Sequence, residues 1–313
     1  MLTIAEAILP LVLLTAFGTG LKAVGFMDHA RRSALESVVY FVLVPALIIR
    51  AMNRTTIDLA ALLPLAVTML VPIGLILALA FALRASGPPD ATWLHGPGFP
   101  ATVMGLTRNN IFIVFAASQA LLGPDAGAIT ALAAMFYVPA VNIVGVVACT
   151  RYGEAATSAI WDTLRALASN PFILGTVAGL FLNVTGIGLP GPLEPAAALL
   201  SDSALGLALV CVGAGLTLPA VTTAPLGLVV TAVLKLLAMP FFAWLLCVWL
   251  QVEAALALAV MLYHAGPTAP GAYVLAKQLG GDADYMAALI TAQTIAAAVT
   301  MPLVFAAARA LYG

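Results

Sequence analysis

The chain has 313 residues, of which 63% are hydrophobic and 8% charged, with a formal net charge of -1 and a mean hydropathy of +1.12. Soluble domains carry about 25% charged residues, so a soluble fold is excluded, and the absence of basic runs excludes a nucleic-acid surface. The apolar runs are long and continuous rather than alternating, which excludes an outer-membrane barrel and leaves an all-α integral membrane protein.

A helix needs about 20 apolar residues to cross the hydrocarbon core, and ten such spans can be drawn. The first is expected over 4–24; the sequence before it shows no basic leader or small-residue cleavage site, so it reads as a retained span. The second covers 34–49 and the third 59–83. A loop rich in turn formers follows, Ser86-Gly87-Pro88-Pro89-Asp90 through Gly96-Pro97-Gly98. The fourth span, 101–122, is interrupted by Arg108-Asn109-Asn110, and the fifth runs over 126–149. Residues 151–170 form the most polar connection. Within it Ile160, Trp161, Leu164 and Leu167 share one helical face, which suits either a helix lying on the membrane surface or a solvated connector. The sixth span starts at Pro171 and ends near Leu189, the seventh covers 196–218 and the eighth 226–250. The ninth, 254–279, is interrupted by His264-Ala265-Gly266-Pro267-Thr268-Ala269-Pro270-Gly271, and the tenth covers 285–311.

Irregular backbone at membrane depth is tolerated only where it is buried in protein or lines a cavity. A pair of interrupted spans at corresponding places in two halves points to a transporter binding site. Leu122-Gly123-Pro124-Asp125-Ala126 follows the first interruption and Leu279-Gly280-Gly281-Asp282-Ala283 the second. The expected organisation is therefore a first five-helix repeat over 1–150, a cytoplasmic connector over 151–170 and a second five-helix repeat over 171–313. An odd number of spans per repeat inverts the second copy. Lys22, Arg31, Arg32, Arg84, Arg151, Arg165 and Lys277 fall on one side and Arg50, Arg54 and Arg309 on the other, which places both termini outside by the positive-inside rule.

A broken helix exposes N–H groups at the start of one half and C=O groups at the end of the other. The N-terminal end carries about half a positive charge and attracts anions. Two crossed broken helices thus form a polar chamber suited to a carboxylate. Pro267 removes a donor and disfavours helix at Ala265 and Gly266; in the fourth span Asn109 and Asn110 compete for backbone hydrogen bonds instead, and their amides serve either as ligand contacts or as packing between helices. Arg108 has two readings, attraction of an anion or an acid partner within the span and contact with headgroups nearer an interface. Asn142 and Gln293, in the spans after each break, are candidates to line the same chamber, with Gly266 and Thr268 at the break itself. Asp202 and His264 are candidates to carry a coupling ion, although a carboxyl can cap a helix and a histidine can simply pack. Glu36 reads as an interfacial cap. Lys235 is intramembrane by count and needs either an acid partner or a path to the interface. Cys149, Cys211 and Cys247 have no metal-ligand spacing and read as small buried residues. There is no Ser-x-x-Lys, no His-Glu-x-x-His and no glycine-rich phosphate loop, so neither catalytic residues nor a metal or cofactor is expected.

The chain resembles the auxin efflux carrier family. The resemblance is carried by 25–28 and 40–48; by 170–173, 186–190, 200–206 and 213–216; and by 267–269, 273–276 and 280–283. It implies ten transmembrane helices in two inverted repeats with broken, crossing helices 4 and 9, similar to the bile acid/sodium symporter fold. It further implies a scaffold from helices 1, 2, 6 and 7, a transport domain from helices 3–5 and 8–10, and elevator movement of an organic anion. The family's crossover residues map onto Arg108, Asn109, Asn110 and Pro267. Bacterial members, relatives of the plant PIN transporters, are often labelled malonate or dicarboxylate carriers. The expectation is a multi-pass protein of the bacterial inner membrane, possessing a small organic anion as substrate, a proton or sodium ion as coupling partner and a second copy as partner in a homodimer. The alternatives are a sodium-coupled symporter of the bile-acid type and a non-transporting membrane receptor.

Overall fold

The protein is described by a computed structural model covering residues 2–54, 59–153, 165, 168–216 and 224–312. Apolar sequence must satisfy its own backbone where no water reaches, and a helix is the way a single segment does so. Among the described residues the regular structure is all helical, without a strand. In chain order the helices are α1 (Leu2–Ala23), α2 (His29–Arg54), α3 (Leu62–Ser86), α4 (Gly98–Thr107), α5 (Ile111–Leu122), α6 (Ala126–Tyr152), α7 (Pro171–Thr185), α8 (Leu193–Gly215), α9 (Pro225–Trp249), α10 (Ala254–His264), α11 (Gly271–Gln278) and α12 (Ala283–Tyr312). Among the described residues seven of them, α1, α2, α3, α6, α8, α9 and α12, are long and apolar enough to cross a membrane, while α7 and α10 are shorter apolar helices.

Several helix ends differ from the sequence expectation for local reasons. α7 ends at Thr185, not near Leu189, because Gly186 takes a left-handed conformation (φ 67°) that stops the helix. Its start follows from Asn170, whose side chain accepts from Phe172 N–H, with Pro171 in the first turn. The cap of α2 is Asp28, which accepts from Arg31 N–H at 2.8 Å; Glu36 instead pairs with Arg32 at 3.4 Å. Two turns widen to π geometry, Val39–Leu43 in α2 and Leu234–Ala238 in α9. Each lies just before a proline, Pro45 or Pro240. The missing proline N–H and the clash of its ring with the preceding turn account for the wider hydrogen bonds, Val44 N–H to Val39 O and Met239 N–H to Leu234 O.

The chain divides into two compact units that interleave in sequence. Unit 1 comprises Met1–Leu63, Phe112–Met135 and Ala166–Leu216; unit 2 comprises Pro64–Ile111, Phe136–Arg165 and Thr217–Gly313. The candidate surface face of the connector, Ile160, Trp161, Leu164 and Leu167, lies outside the described residues.

In unit 1, α1 packs along α8 and α2 along α7. Both contacts depend on glycine. A Cβ on Gly213 would lie 1.8 Å from Thr15 O and one on Gly18 2.0 Å from Val210 O, while one on Gly179 would meet the Met52 side chain at 2.7 Å. Small residues let helix backbones approach where lipid supplies no hydrophobic drive for association. Thr19 Oγ1 donates to Gly213 O at 3.0 Å across the same contact. The polar edge of the unit is an ion-pair network. Arg50 reaches Asp202 at 2.9 Å and Glu194 at 3.6 Å, and Arg54 also pairs with Glu194.

In unit 2, α4 is buried along its whole length, Gly98 to Thr107, as expected of a helix that is apolar on all sides. It packs against α9, α11 and α12. Arg84 lies over the rings of Phe99 and Tyr152, 4.6 Å from each centroid, and donates to Leu94 O at 2.6 Å. It thereby ties the end of α3 to the start of α4.

Replacing Gly213 by leucine is expected to destabilise the protein by about 2 kcal/mol or more, the overpacking range for a core that cannot shift. Thermal unfolding in detergent should show the loss, whereas Gly20→Leu, with open space at its Cβ, should leave the midpoint unchanged.

Candidate functional site

Both predicted interruptions are present. α4 stops at Thr107 and α5 starts at Ile111, with Arg108 extended (φ -77°, ψ 139°). α10 stops at His264 and α11 starts at Gly271. The two breaks meet inside unit 2, where Asn110 N–H donates to Pro267 O at 2.6 Å. This single backbone bond explains part of the need for irregular chain on both sides, because neither group is free inside a regular helix.

Several further groups freed at the breaks are taken up by side chains. Asn109 Nδ2 donates to Tyr263 O at 2.7 Å. Gln293, on α12, donates from Nε2 to Gly105 O at 3.0 Å and accepts from Thr268 N–H at 3.1 Å. Thr268 Oγ1 sits 2.8 Å from Gly105 O and 2.7 Å from Gln293 Oε1, its one proton bridging the two acceptors. Tyr137, on α6, donates its hydroxyl to Thr107 O. Thr107, Asn110, Thr268 and Gln293 are at most 1% exposed, so each bond replaces one that water cannot supply.

His264 is also fully buried. Its Nε2 lies 2.9 Å from Thr68 O. That carbonyl is free because Pro72, four residues on in α3, has no N–H to offer it. Since a carbonyl only accepts, the ring donates from Nε2 and presents a lone pair at Nδ1, which has no hydrogen-bond partner among the described residues. Asn109 Oδ1 is likewise a buried acceptor without a partner there. The orientation of this amide is fixed by its Nδ2 facing a carbonyl.

Of the residues singled out by sequence, Arg108, Asn109, Asn110, His264, Gly266, Pro267, Thr268 and Gln293 all come together in unit 2. Arg108 runs past α6 at Gly145, where an added Cβ would lie 3.5 Å from its Nη1. Asn142, half-buried on α6, makes no hydrogen bond to this set among the described residues. Asp202 is elsewhere: it belongs to unit 1, with a side chain 70% exposed and paired with Arg50. Lys235 departs from both expectations for it. It is fully buried, so it does not reach an interface, and among the described residues it has no carboxylate partner. Its Nζ instead lies 3.4 Å from Tyr137 Oη and 3.5 Å from Met239 Sδ. Sequence reading passed over Tyr137, Thr68 and Tyr263. The proline at 72 is the signal that a carbonyl near 68 needs a donor, but nothing in sequence says which helix supplies it.

Residues 156–305 match the family model described as membrane transport protein. The auxin efflux carrier family domain is found over this stretch. It contains α7 to α11 and most of α12, so the second break lies within the auxin efflux carrier domain and the first precedes it. With seven apolar helices of membrane-crossing length among the described residues, the chain is a multi-pass membrane protein carrying a membrane transport domain. No match is found among curated proteins.

Gln293→Leu should keep the approximate size of the side chain but leave Thr268 N–H without a partner, while Gly105 O keeps only the Thr268 hydroxyl. Unsatisfied buried groups cost about 1–3 kcal/mol each, so the unfolding midpoint should fall clearly below wild type, and below that of Asn142→Leu.

Proposed function

We infer that the protein is a secondary transporter for a small organic anion, a mono- or dicarboxylate of the malonate type. The observation that carries the reading is the meeting of two broken helices in one unit through the Asn110 to Pro267 bond. Helix α5 begins directly after one break and α11 directly after the other, so two positive helix ends lie there. At the carbonyl ends, the oxygens of Gly105, Thr107 and Tyr263 already accept from Gln293 and Thr268, from Tyr137 and from Asn109. What supports a ligand site is positive potential from the N–H ends, together with the buried acceptors Asn109 Oδ1 and His264 Nδ1, which have no partner among the described residues. A half-protonated dicarboxylate fits both, its carboxylate toward the helix ends and its O–H toward Asn109 Oδ1.

On this reading the chain forms ten spans in two inverted five-helix repeats. Each break with its flanking helices, α4 with α5 and α10 with α11, counts as one span, and α7 as another. The left-handed glycines that follow the two broken spans, Gly123 (φ 93°) and Gly280 (φ 73°), support the equivalence of the halves. α1, α2, α7 and α8, which serve as scaffold, all fall in unit 1; α5 and the first part of α6 group with them. The breaks and their partners fall in unit 2, which supports elevator movement of a transport domain. The protein would lie in a bacterial inner membrane with both termini outside.

The test is counterflow of labelled malonate in proteoliposomes, with and without a proton gradient. Saturable exchange is expected, reduced at least about tenfold by Asn109→Ala or Pro267→Ala, which remove a positioned polar group and the element that holds the break open. Full activity of both variants at normal expression would sink the assignment. Stimulation by the gradient would add proton coupling.

A further inference from the structure

Lys235 is a buried cation that the carrier reading leaves without a task. It projects from the π turn of α9, is 0% exposed, and has no carboxylate partner among the described residues, where the buried polar residues include no acid. A lone ammonium at membrane depth is costly and marks a functional position. Its surroundings show what its charge acts on. Lys235 Nζ donates to Tyr137 Oη at 3.4 Å, and Tyr137 passes its own proton to Thr107 O, the last carbonyl of α4. The Tyr137 ring stands edge-on to Tyr263 and His264, with centroids 5.1 and 5.5 Å away, and these are the last two residues of α10. Lys235 is thus linked to the carbonyl end of one broken helix and lies beside the carbonyl end of the other. Those ends carry the negative poles of the two half-helices.

We propose that Lys235 is a resident counter-cation for the crossing helices: its ammonium, acting through Tyr137, neutralises the carbonyl ends of α4 and α10 in place of a bound sodium ion. The inference rests on the anion-carrier reading above and specifies its coupling. A sodium ion at the breaks would need free oxygen ligands, several of them carbonyl or carboxylate. The carbonyls of Gly105, Thr107, Tyr263, Pro267 and Thr68 each already accept a hydrogen bond from the protein; Asn109 Oδ1 is unpartnered, but no buried acid joins it among the described residues, and one amide oxygen falls short of a sodium shell. With the negative poles compensated from within, the positive ends of α5 and α11 act on an anion without a co-transported cation. Lys235 is a positioning residue, since it acts on the anion through the field of the helices.

The experiment compares wild type, Lys235→Met and Tyr137→Phe in anion exchange with sodium or choline as the only external cation. Wild type should exchange equally in both. Lys235→Met, nearly isosteric and uncharged, should raise the KM for the anion about tenfold, the scale on which a lost charge at a helix end acts, and change the maximal rate little. Tyr137→Phe, which keeps the charge and cuts the link to Thr107, should raise KM by a smaller factor. A purely structural lysine would lower the amount of folded protein and leave KM alone. Unchanged KM in both variants, or wild-type exchange that requires sodium, would overturn the proposal. A second measurement needs no substrate: the unfolding midpoint of wild type in sodium chloride against choline chloride. Equal midpoints are expected, and a rise specific to sodium overturns the resident cation even if no tested anion is exchanged. Absence of exchange with equal midpoints would instead count against the carrier reading.

Discussion

A helix that stops inside a membrane protein leaves amide and carbonyl groups that must find partners within the protein, and unit 2 is arranged around that requirement. Several interruptions of regular hydrogen bonding in it are matched by a donor from elsewhere in the chain. Thr107 O receives the Tyr137 hydroxyl and Tyr263 O the Asn109 amide; Gly105 O is met from α12 by Gln293, and Pro267 O by Asn110 N–H. The same logic extends to a helix that is not broken, because Pro72 frees Thr68 O and His264 takes it. Each of these repairs joins separate segments of the chain. The groups that would otherwise destabilise the core therefore fix the relative positions of α3, α4, α6, α10 and α12.

The repairs are unequal in sign. Those around the breaks go mostly to carbonyls, the negative ends of α4 and α10, and Lys235 is joined to the same side through Tyr137. On the anion-carrier reading proposed above, such a site attracts an anion chiefly through helix ends; a bidentate arginine would bind a carboxylate more strongly, but a carrier on that reading must also release its cargo. This also gives a use for the full burial of α4, since the field of a short helix is strongest where no water screens it.

How far the sequence reaches into this arrangement depends on whether a residue acts on its own chain or on a distant one. Pro267, Asn109 and Asn110 act locally by breaking the helix they belong to, and so both interruptions are legible from composition and spacing. Gly186 acts locally too, but its left-handed role was hidden by Gly188, Pro190 and Pro192 just beyond, each of which could end a helix. Thr68 and His264 are far apart in the chain, and so are Lys235 and Tyr137; nothing in the sequence pairs them. Asp202 shows the opposite limit. An acid inside an apolar run reads as a buried titratable group, yet its helix places it at a half-open edge where Arg50 neutralises it. Sequence gives depth along a helix but not the face, and for a charged residue the face decides between function and solvation.

The hydrogen bonds that build the site share one property. Those joining Gly105, Thr107, Asn109 and Asn110 to Tyr137, Tyr263, Pro267, Thr268 and Gln293, the bond from His264 to Thr68 and the contact from Lys235 to Tyr137 all connect residues of unit 2 to residues of unit 2. The Arg50, Arg54, Glu194 and Asp202 network is just as completely internal to unit 1. Each network is therefore complete within its own unit, and every buried group it satisfies would cost about 1–3 kcal/mol if left unpaired.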